Sequence, residues 1–161
     1  MPVYDLEFSA KLENISEVVP FGADFRWYIQ VKCTSCNEVH EDWVYLCEGD
    51  RVPLKGSRSS TNLKLKCKFC SRENSADIVS GSVSPYTDAS SEKFSRIMRL
   101  DCRGLQPLAF SPRVGWRVTS SASSRVFDDV DLGQSDWTDY DDDGDQCVGV
   151  FDVTSRFVSS K

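Results

Sequence analysis

The sequence has a single histidine, His40, and no segment whose periodicity predicts a long amphipathic helix. No apolar stretch approaches the roughly 18 residues that a membrane span needs. The first residues, Met-Pro-Val-Tyr-Asp-Leu-Glu, contain acids where a secretory signal peptide has a basic start and an apolar run. We therefore expect a protein of the cytoplasm, with the nucleus as an alternative compartment, and no association with a membrane.

The scarcity of histidine also bears on catalysis. The chain has one histidine and no paired carboxylates in a recognisable strand setting. It therefore offers few groups that could act as a general acid or base. Cys47 or Cys102 could pair with His40 as nucleophile and base, but no neighbouring residue supports such a pair. We expect no enzymatic activity.

Charge is unevenly distributed over the 161 residues, whose net charge is −6. Residues 128–145 contain nine aspartates and no basic residue, whereas Arg51–Arg72 contains seven basic residues and no acid. Opposite patches on one chain favour protein partners over a nucleic-acid platform. A nucleic-acid-binding zinc ribbon is the less favoured alternative, because Phe69 is the only aromatic residue of the basic island.

Seven cysteines are present, and four of them form two identical motifs, Cys33-Thr-Ser-Cys36 and Cys67-Lys-Phe-Cys70. An odd number of cysteines in a chain expected in the cytoplasm argues against a disulfide framework. Zn²⁺ prefers four ligands in a tetrahedron, and a Cys-x-x-Cys turn at the end of a strand presents two thiolates on one side. We predict one zinc ion per chain with the ligands Cys33, Cys36, Cys67 and Cys70. Iron in the same four-thiolate site is chemically possible and stays open.

Two other uses of these cysteines are less favoured. A thioredoxin-type redox motif stands at a helix N-terminus, and neither motif here is followed by a helical pattern. A compact knuckle of Cys33, Cys36, His40 and Cys47 would have unusual spacings and would leave the second motif without a role. Cys47, Cys102 and Cys147 are therefore expected to be spare thiols.

Short β-like runs bounded by turn residues predict an all-β fold. The predicted strands are Leu6–Leu12, Phe25–Val31, Trp43–Leu46, Leu63–Leu65, Ile78–Val83, Phe94–Leu100, Gly115–Val118 and Val148–Val153.

The chain also contains a weak internal repeat. The segment from Phe25 to Cys33 aligns with the segment from Phe94 to Cys102 at an offset of 69 residues. This alignment predicts two similar small antiparallel β modules. The first, residues 1–75, would hold the zinc site, and the second, residues 76–161, would lack zinc and contain the acidic segment 128–145.

The acidic segment contains half of a calcium-binding motif. Asp139, Asp141 and Asp143 occupy the first, third and fifth places and Gly144 the sixth, but the twelfth place, which needs glutamate, is Val150. We interpret the segment as a solvated turn before the last strand.

Several stretches together resemble a known family. They are Leu12-Glu-Asn-Ile15, Asp24-Phe-Arg-Trp-Tyr28, Lys32-Cys-Thr-Ser-Cys36, Leu54-Lys-Gly56, Lys66-Cys-Lys-Phe-Cys70, Arg72-Glu-Asn-Ser75, Asp101-Cys-Arg-Gly-Leu105 and Asp136-Trp-Thr-Asp-Tyr-Asp141. The chain is similar over nearly its whole length to the eukaryotic CXXC-motif-containing zinc-binding proteins, the UPF0587 group. The resemblance implies a two-module β fold with one zinc, no established reaction, and links to metal homeostasis and metallochaperone contacts.

These observations predict a monomeric, non-catalytic protein with a structural zinc that acts through protein–protein contact. The alternative is a metal-handling protein for zinc or copper homeostasis, with exchangeable zinc and a metallochaperone as partner.

Overall fold

The computed structural model describes residues 2–54 and 59–160, and four residues of the basic island, 55–58, lie outside the described residues. Fifteen strands follow one another among the described residues: β1 (Val3–Glu13), β2 (Ile15–Pro20), β3 (Trp27–Cys33), β4 (Val44–Leu46), β5 (Val52–Pro53), β6 (Ser60–Thr61), β7 (Leu63–Lys66), β8 (Glu73–Ile78), β9 (Tyr86–Thr87), β10 (Ser95–Arg103), β11 (Leu105–Ser111), β12 (Trp116–Ser120), β13 (Val126–Val130), β14 (Trp137–Asp141) and β15 (Gln146–Ser160). A short 3-10 helix, Asp88–Ser90, precedes β10. The predicted all-β class is confirmed.

The strands form three larger antiparallel sheets and one small hairpin. The six-stranded sheet has the order β14-β15-β1-β10-β8-β7, the four-stranded sheet β13-β12-β2-β9, and the three-stranded sheet β11-β3-β4. Strands β5 and β6 pair with each other. The longest pairing joins β1 to β15, from Val3 opposite Ser160 to Glu13 opposite Gly149.

Two long strands cross from one sheet to another through a single left-handed residue. Asn14, with φ of 55°, separates β1 of the six-stranded sheet from β2 of the four-stranded sheet. Gly104, with φ of 83°, separates β10 of the six-stranded sheet from β11 of the three-stranded sheet. Positive φ turns the chain sharply enough to change sheets, and glycine and asparagine tolerate it best.

Aromatic side chains fill the space between the sheets. Phe25 contacts Trp27 and Trp116 edge-on, with ring centroids 4.9 and 5.0 Å apart. Phe8 contacts Tyr86 at 5.0 Å in the same T-shaped manner. Such offset contacts suit the quadrupoles of aromatic rings. Because these residues come from several sheets, one continuous core joins them.

Most predicted strands overlap observed ones, but one is displaced. The predicted strand Ile78–Val83 begins at the residue where β8 ends, and Gly81 lies in a turn. The sequence concealed β8 because its residues, Glu-Asn-Ser-Ala-Asp-Ile, are mostly polar although Asn74 and Ser75 are buried. One of these polar side chains, Asn74, donates a hydrogen bond to Cys33 in a turn described below.

The aligned repeat segments lie in different sheets. The first is β3 of the three-stranded sheet and the second is β10 of the six-stranded sheet. Strands from both halves pair directly, since β1 lies between β10 and β15. The division into two modules at residue 75 stays a prediction.

Across the described ranges, no helix has the length and apolar character that a transmembrane helix requires.

Candidate metal centre

The first cysteine turn follows β3. Side chains alternate along this strand, and Trp27, Ile29, Val31 and Cys33 face inward. The last side chain of the strand, the thiol of Cys33, is therefore buried in the protein interior. The N–H of Cys33 donates to the carbonyl of Glu38 at 2.9 Å, and the N–H of Asn37 donates back to the carbonyl of Cys33 at 2.8 Å. Asn37 has φ of 65°, which closes the turn around Cys36.

The second cysteine turn repeats this backbone arrangement after β7. The N–H of Cys67 donates to the carbonyl of Arg72 at 2.9 Å, and the N–H of Ser71 donates to the carbonyl of Cys67 at 3.0 Å. Ser71 has φ of 63°, nearly the value of Asn37. The two motifs therefore form the same kind of turn, each closed by a left-handed residue directly after its second cysteine.

The two turns face each other and bring their four sulfurs together. The Sγ atoms of Cys33, Cys36, Cys67 and Cys70 all lie within 4.8 Å of one another. The Sγ of Cys33 is 3.7 Å from that of Cys70, and the Sγ of Cys36 is 3.6 Å from that of Cys67. A tetrahedral zinc–thiolate site with bonds of about 2.3 Å has sulfurs about 3.8 Å apart. Both the donor set and its spacing fit a zinc ion.

The surroundings of the four thiols favour the anionic form for two of them. The pKa of Cys33 is lowered to about 6, chiefly by the backbone N–H of Cys36 and also by the side-chain amide of Asn74. The N–H groups of Cys70 and Phe69 lower the pKa of Cys67. The N–H of Glu38 favours the thiolate of Cys36, yet burial and the neighbouring sulfurs outweigh it and raise the pKa to about 12. A cation among the sulfurs would remove that repulsion.

A match to a known protein family supports zinc binding by these thiols. The family model for "CXXC motif containing zinc binding protein, eukaryotic" matches residues 5–158. The chain belongs to this family. The resemblance deduced from the sequence is thereby confirmed, and zinc binding is supported both by the family and by the cluster of four thiols.

The relatives cover this chain almost completely. A mouse "CXXC motif containing zinc binding protein" is 44% identical over 153 residues, covering 95% of this chain and 96% of the relative. The fruit-fly "UPF0587 protein CG4646" is 40% identical over 158 residues, covering 97% and 96%. A structure described as "Crystal Structure of C1orf123" superposes with a TM-score of 0.93 at 41% identity, covering 98% of this chain and 99% of the other. A "Hypothetical protein from plasmodium falciparum" shares the fold at a TM-score of 0.89 and 18% identity, covering 98% and 100%.

Two residues that are distant in sequence, Asn74 and Gly104, contact the first cysteine turn. Asn74, buried on β8, donates from Nδ2 to the Sγ of Cys33 at 3.4 Å. The carbonyl of Gly104 accepts the N–H of Thr34 at 3.0 Å. A Cβ at Gly104 would lie 2.0 Å from the Oδ1 of Asn74, so only glycine fits there. Neither residue is recognisable from the sequence as part of the site, because the closeness of both to Cys33 exists only after folding.

The thiols differ in access to solvent. Cys33 and Cys67 are buried, Cys36 is half-buried and Cys70 is exposed. On the exposed side, the Nζ of Lys68 in the second turn lies 3.9 Å from the Oδ2 of Asp42, in the segment between the first turn and β4. The site therefore has a closed inner side and an open outer side.

The other three cysteines and His40 lie outside the four-thiol cluster. The thiol of Cys47 faces the carbonyl of Asp24 at 3.7 Å. Cys102 is buried, and burial raises the pKa of its thiol to about 12. Cys147 is exposed. The N–H of His40 donates to the carbonyl of Val31 at 2.9 Å.

The expectation of a fully solvated acidic turn is wrong for Asp141. This side chain is inaccessible to solvent, although Asp142 and Asp143 beside it are exposed. Its Oδ2 accepts the hydroxyl groups of Ser120 and Ser123, both at 2.5 Å, and its Oδ1 accepts the N–H groups of Asp143 and Gly144, both at 3.1 Å. The two hydroxyl groups, followed by the backbone donors, lower the pKa of Asp141. The carboxylate is a structural element of the β14–β15 turn.

Proposed function

We propose that this chain is a non-catalytic zinc protein in which one zinc ion, held by Cys33, Cys36, Cys67 and Cys70, stabilises a surface used in contacts with other proteins. A four-thiolate zinc has no open coordination position for water or substrate. The expected setting is a cytoplasmic or nuclear monomer. The protein partner, with a metallochaperone as one candidate, belongs to this proposal.

The observation that carries the structural role is the position of the two turns. Cys33 ends β3 of the three-stranded sheet, whereas Cys67 follows β7 at the edge of the six-stranded sheet. A metal held by both turns cross-links two sheets. Structural zinc in small peptide sites supplies on the order of 10 kcal/mol, which exceeds the net stability of many domains.

Contact with proteins is supported by the exposed apolar side chains around the three-stranded sheet and the turns. Phe69, between the cysteines of the second motif, is 68% exposed, and Trp43 and Tyr45 are 41% and 40% exposed. Aromatic residues are enriched at the centres of protein interfaces.

The exposure of Cys70 favours a second candidate function, the handling of exchangeable zinc. An incoming thiolate could reach the metal from the open side where Cys70 lies, while Cys33 and Cys67 stay covered. Exchange through such a mixed-ligand state would not require unfolding.

Zinc release distinguishes the two functions. The purified chain should contain one equivalent of zinc, and Cys147→Ala, which alters an exposed thiol outside the cluster, should contain the same amount. If zinc is structural, a chelator removes it no faster than the cysteine turns open, as measured by hydrogen exchange under the same conditions. Release much faster than that opening rate would replace the structural role by exchangeable zinc, and iron in protein isolated from cells would overturn the choice of metal.

A further inference from the structure

An open cleft of about 620 Å³ lies beside β3 and β12, away from the four thiols. Its lining contains three arginines, three aromatic residues and three aspartates, with Val114 and Gly115 between them: Arg26, Arg113, Arg117, Phe21, Phe25, Tyr28, Asp24, Asp128 and Asp129. We refer to it as the arginine cleft. Neither the zinc site nor the cysteine motifs account for it.

Each of the three arginines lies over an aromatic ring. The Cζ of Arg117 is 3.5 Å from the ring centroid of Phe21, and the Cζ of Arg113 is 3.8 Å from that of Tyr28. The Cζ of Arg26 is 4.8 Å from the ring centroid of Tyr45, the cross-strand neighbour of Tyr28. Stacking holds a guanidinium group by its face and leaves the N–H groups at its edge free to bind a planar anion.

Within the described part of the chain, only one of these three arginines is paired with an acid. Arg117 donates to the Oδ1 of Asp128 at 2.7 Å, so its charge is balanced. Arg26 donates to the hydroxyl of Tyr28 at 3.4 Å, and Arg113 donates to the hydroxyl of Ser111 at 3.2 Å. Among residues 2–54 and 59–160, neither guanidinium has a carboxylate oxygen within 4.0 Å.

Arg26 and Arg113 converge on one side chain, Tyr28. One contacts its hydroxyl and the other its ring face. Two cations held near each other with no carboxylate in direct contact raise the positive potential between them and favour an anion there. Arginine binds carboxylates and phosphates through paired, charge-assisted hydrogen bonds.

The margin of the cleft distinguishes among anions. Asp24, Asp128 and Asp129 are exposed around it, and they would repel the extended chain of charges of a nucleic acid. A single carboxylate between the two arginines avoids most of that repulsion. Phe21 and Val114, which are 51% and 55% exposed, provide apolar contact surface beside it.

We propose that the arginine cleft binds a segment of a partner protein through one Asp or Glu carboxylate held between Arg26 and Arg113, with a neighbouring apolar side chain against Phe21 and Val114. This inference rests on the proposed function, contact with proteins, and assigns that function a surface and a partner chemistry. Arginine and aromatic residues at the centre of a patch are the composition of binding hot spots.

The test is an NMR titration of the zinc-loaded full chain with three capped pentapeptides. They are Phe-Gly-Glu-Gly-Phe, the same peptide with Gln in place of Glu, and the same peptide with phosphoserine in place of Glu. The Glu peptide should produce saturable shifts at the amides of residues 21–28 and 113–117, and should bind at least tenfold more tightly than the Gln peptide. Absence of saturable shifts, or equal binding of the Glu and Gln peptides, would overturn the proposal.

Variants then test the two arginines. Arg26→Gln/Arg113→Gln should abolish the preference for Glu over Gln, and Arg26→Lys/Arg113→Lys, which keeps the charge without the paired donors, should lose most of it. Arg156→Gln is the matched control, because Arg156 also lies over a ring, that of Phe94 at 4.0 Å, but is paired with Glu7 at 2.7 Å. This control should bind like the unaltered chain. An unchanged preference for the Glu peptide over the Gln peptide in the double Gln variant would show that the arginine cleft is not the binding site.

Three further outcomes separate the carboxylate from other ligands, the cleft from the zinc site, and the cleft from the proposed contact function. Tighter binding of the phosphoserine peptide, or of an eight-nucleotide single-stranded oligonucleotide, would replace the carboxylate ligand and overturn the proposal. The double Gln variant should keep one equivalent of zinc and its release rate, because the two arginines contact Tyr28, Tyr45 and Ser111, which lie outside the two cysteine turns. A defined protein partner that binds the double variant undiminished would refute the cleft and leave the proposed contact function intact.

Discussion

Side chains that favour the anionic form are buried at two places in this protein, and their negative charge is compensated differently at each place. Between the cysteine turns, Cys33 and Cys67 receive only a few N–H donors, and their charge calls for a cation from outside the chain. In the β14–β15 turn, Asp141 receives two hydroxyl groups and two backbone N–H groups from the chain itself. The stability of the first region should therefore depend on metal, and that of the second on pH.

The largest effect is expected where the metal is lost. Cys67→Ser removes one of four ligands, so tight zinc binding should be abolished and the cross-link between the sheets should open. Amide protection in β7, β8 and the end of β3 should fall at least 100-fold, while β14 and β15 keep theirs, as hydrogen exchange can measure residue by residue.

Cys147→Ser is the control, since this exposed thiol lies outside the cluster. The same experiment tests the predicted division at residue 75. Uniform loosening of both halves would indicate one inseparable cooperative unit, and unchanged protection would mean that zinc is cargo without a structural role.

The next largest effect is expected at Gly104, beside the first cysteine turn. Gly104→Ala introduces a Cβ that would meet the Oδ1 of Asn74 at 2.0 Å, and φ of 83° disfavours any side chain. We expect a loss of about 3 kcal/mol in the free energy of unfolding, measured by urea denaturation of the zinc-loaded protein.

Gly81→Ala separates the two causes. Gly81 has a similar φ of 75°, but a Cβ there would meet nothing within 4 Å. Its loss should reflect backbone strain alone, about 1 kcal/mol. In the double variant Asn74→Ala/Gly104→Ala the losses should be less than additive because the clash is gone, and full additivity would contradict the contact.

A smaller effect is expected at the acidic turn. Asp141→Asn replaces a carboxylate that only accepts hydrogen bonds by an amide whose NH2 group faces donors, so the melting temperature should fall by about 5–10 °C. Asp142→Asn is the matched control: the side chain is 79% exposed and its contact with Arg125 is a surface ion pair. Its melting temperature should change by about 1 °C or less.

The dependence on pH follows from the lowered pKa of Asp141 in the folded state. Its stabilising contribution is complete above the ordinary aspartate pKa of about 3.9 and is lost as the pH falls from there through the lower folded pKa. The stability difference between the unaltered chain and Asp141→Asn should therefore shrink in that acidic range. A difference that stays constant down to pH 2 would show that the carboxylate charge is not what the four donors stabilise.

These two regions also show what can be predicted from the sequence. The cysteine pairs were identifiable because each pair is local, and because zinc chemistry dictates their spacing. The family confirms the class of site, whereas the roles of the individual thiols as ligands stay predictions. The sequence predicts a solvated Asp141, because Ser120 and Ser123, which enclose it, lie 21 and 18 residues away and form no recognisable motif with it.

The fold shows the same limit. Alternating apolar strands such as β1, β3 and β10 were predicted because their inward residues repeat with a period of two. Strand β8 was displaced in the prediction, since its buried Asn74 serves Cys33 and gives no apolar signal. Residues whose partners are distant in sequence remained hidden for one physical reason: the contact that makes them important forms only in the folded chain.

The smallest expected effect is a difference in backbone strain between the two cysteine turns. Both are closed by a left-handed residue, Asn37 with φ of 65° and Ser71 with φ of 63°, but asparagine adopts this conformation readily and serine does not. Ser71→Gly should raise the free energy of unfolding of the zinc-loaded protein by about 0.5–1 kcal/mol, whereas Asn37→Gly should change it by a few tenths at most. Glycine keeps the backbone N–H that donates to the carbonyl of Cys67, so the turn itself is preserved. Urea denaturation at saturating zinc measures both variants. Equal gains would mean that the two turns carry the same strain, and a loss at Ser71 would mean that its side chain contributes more to the second turn than its strained backbone costs.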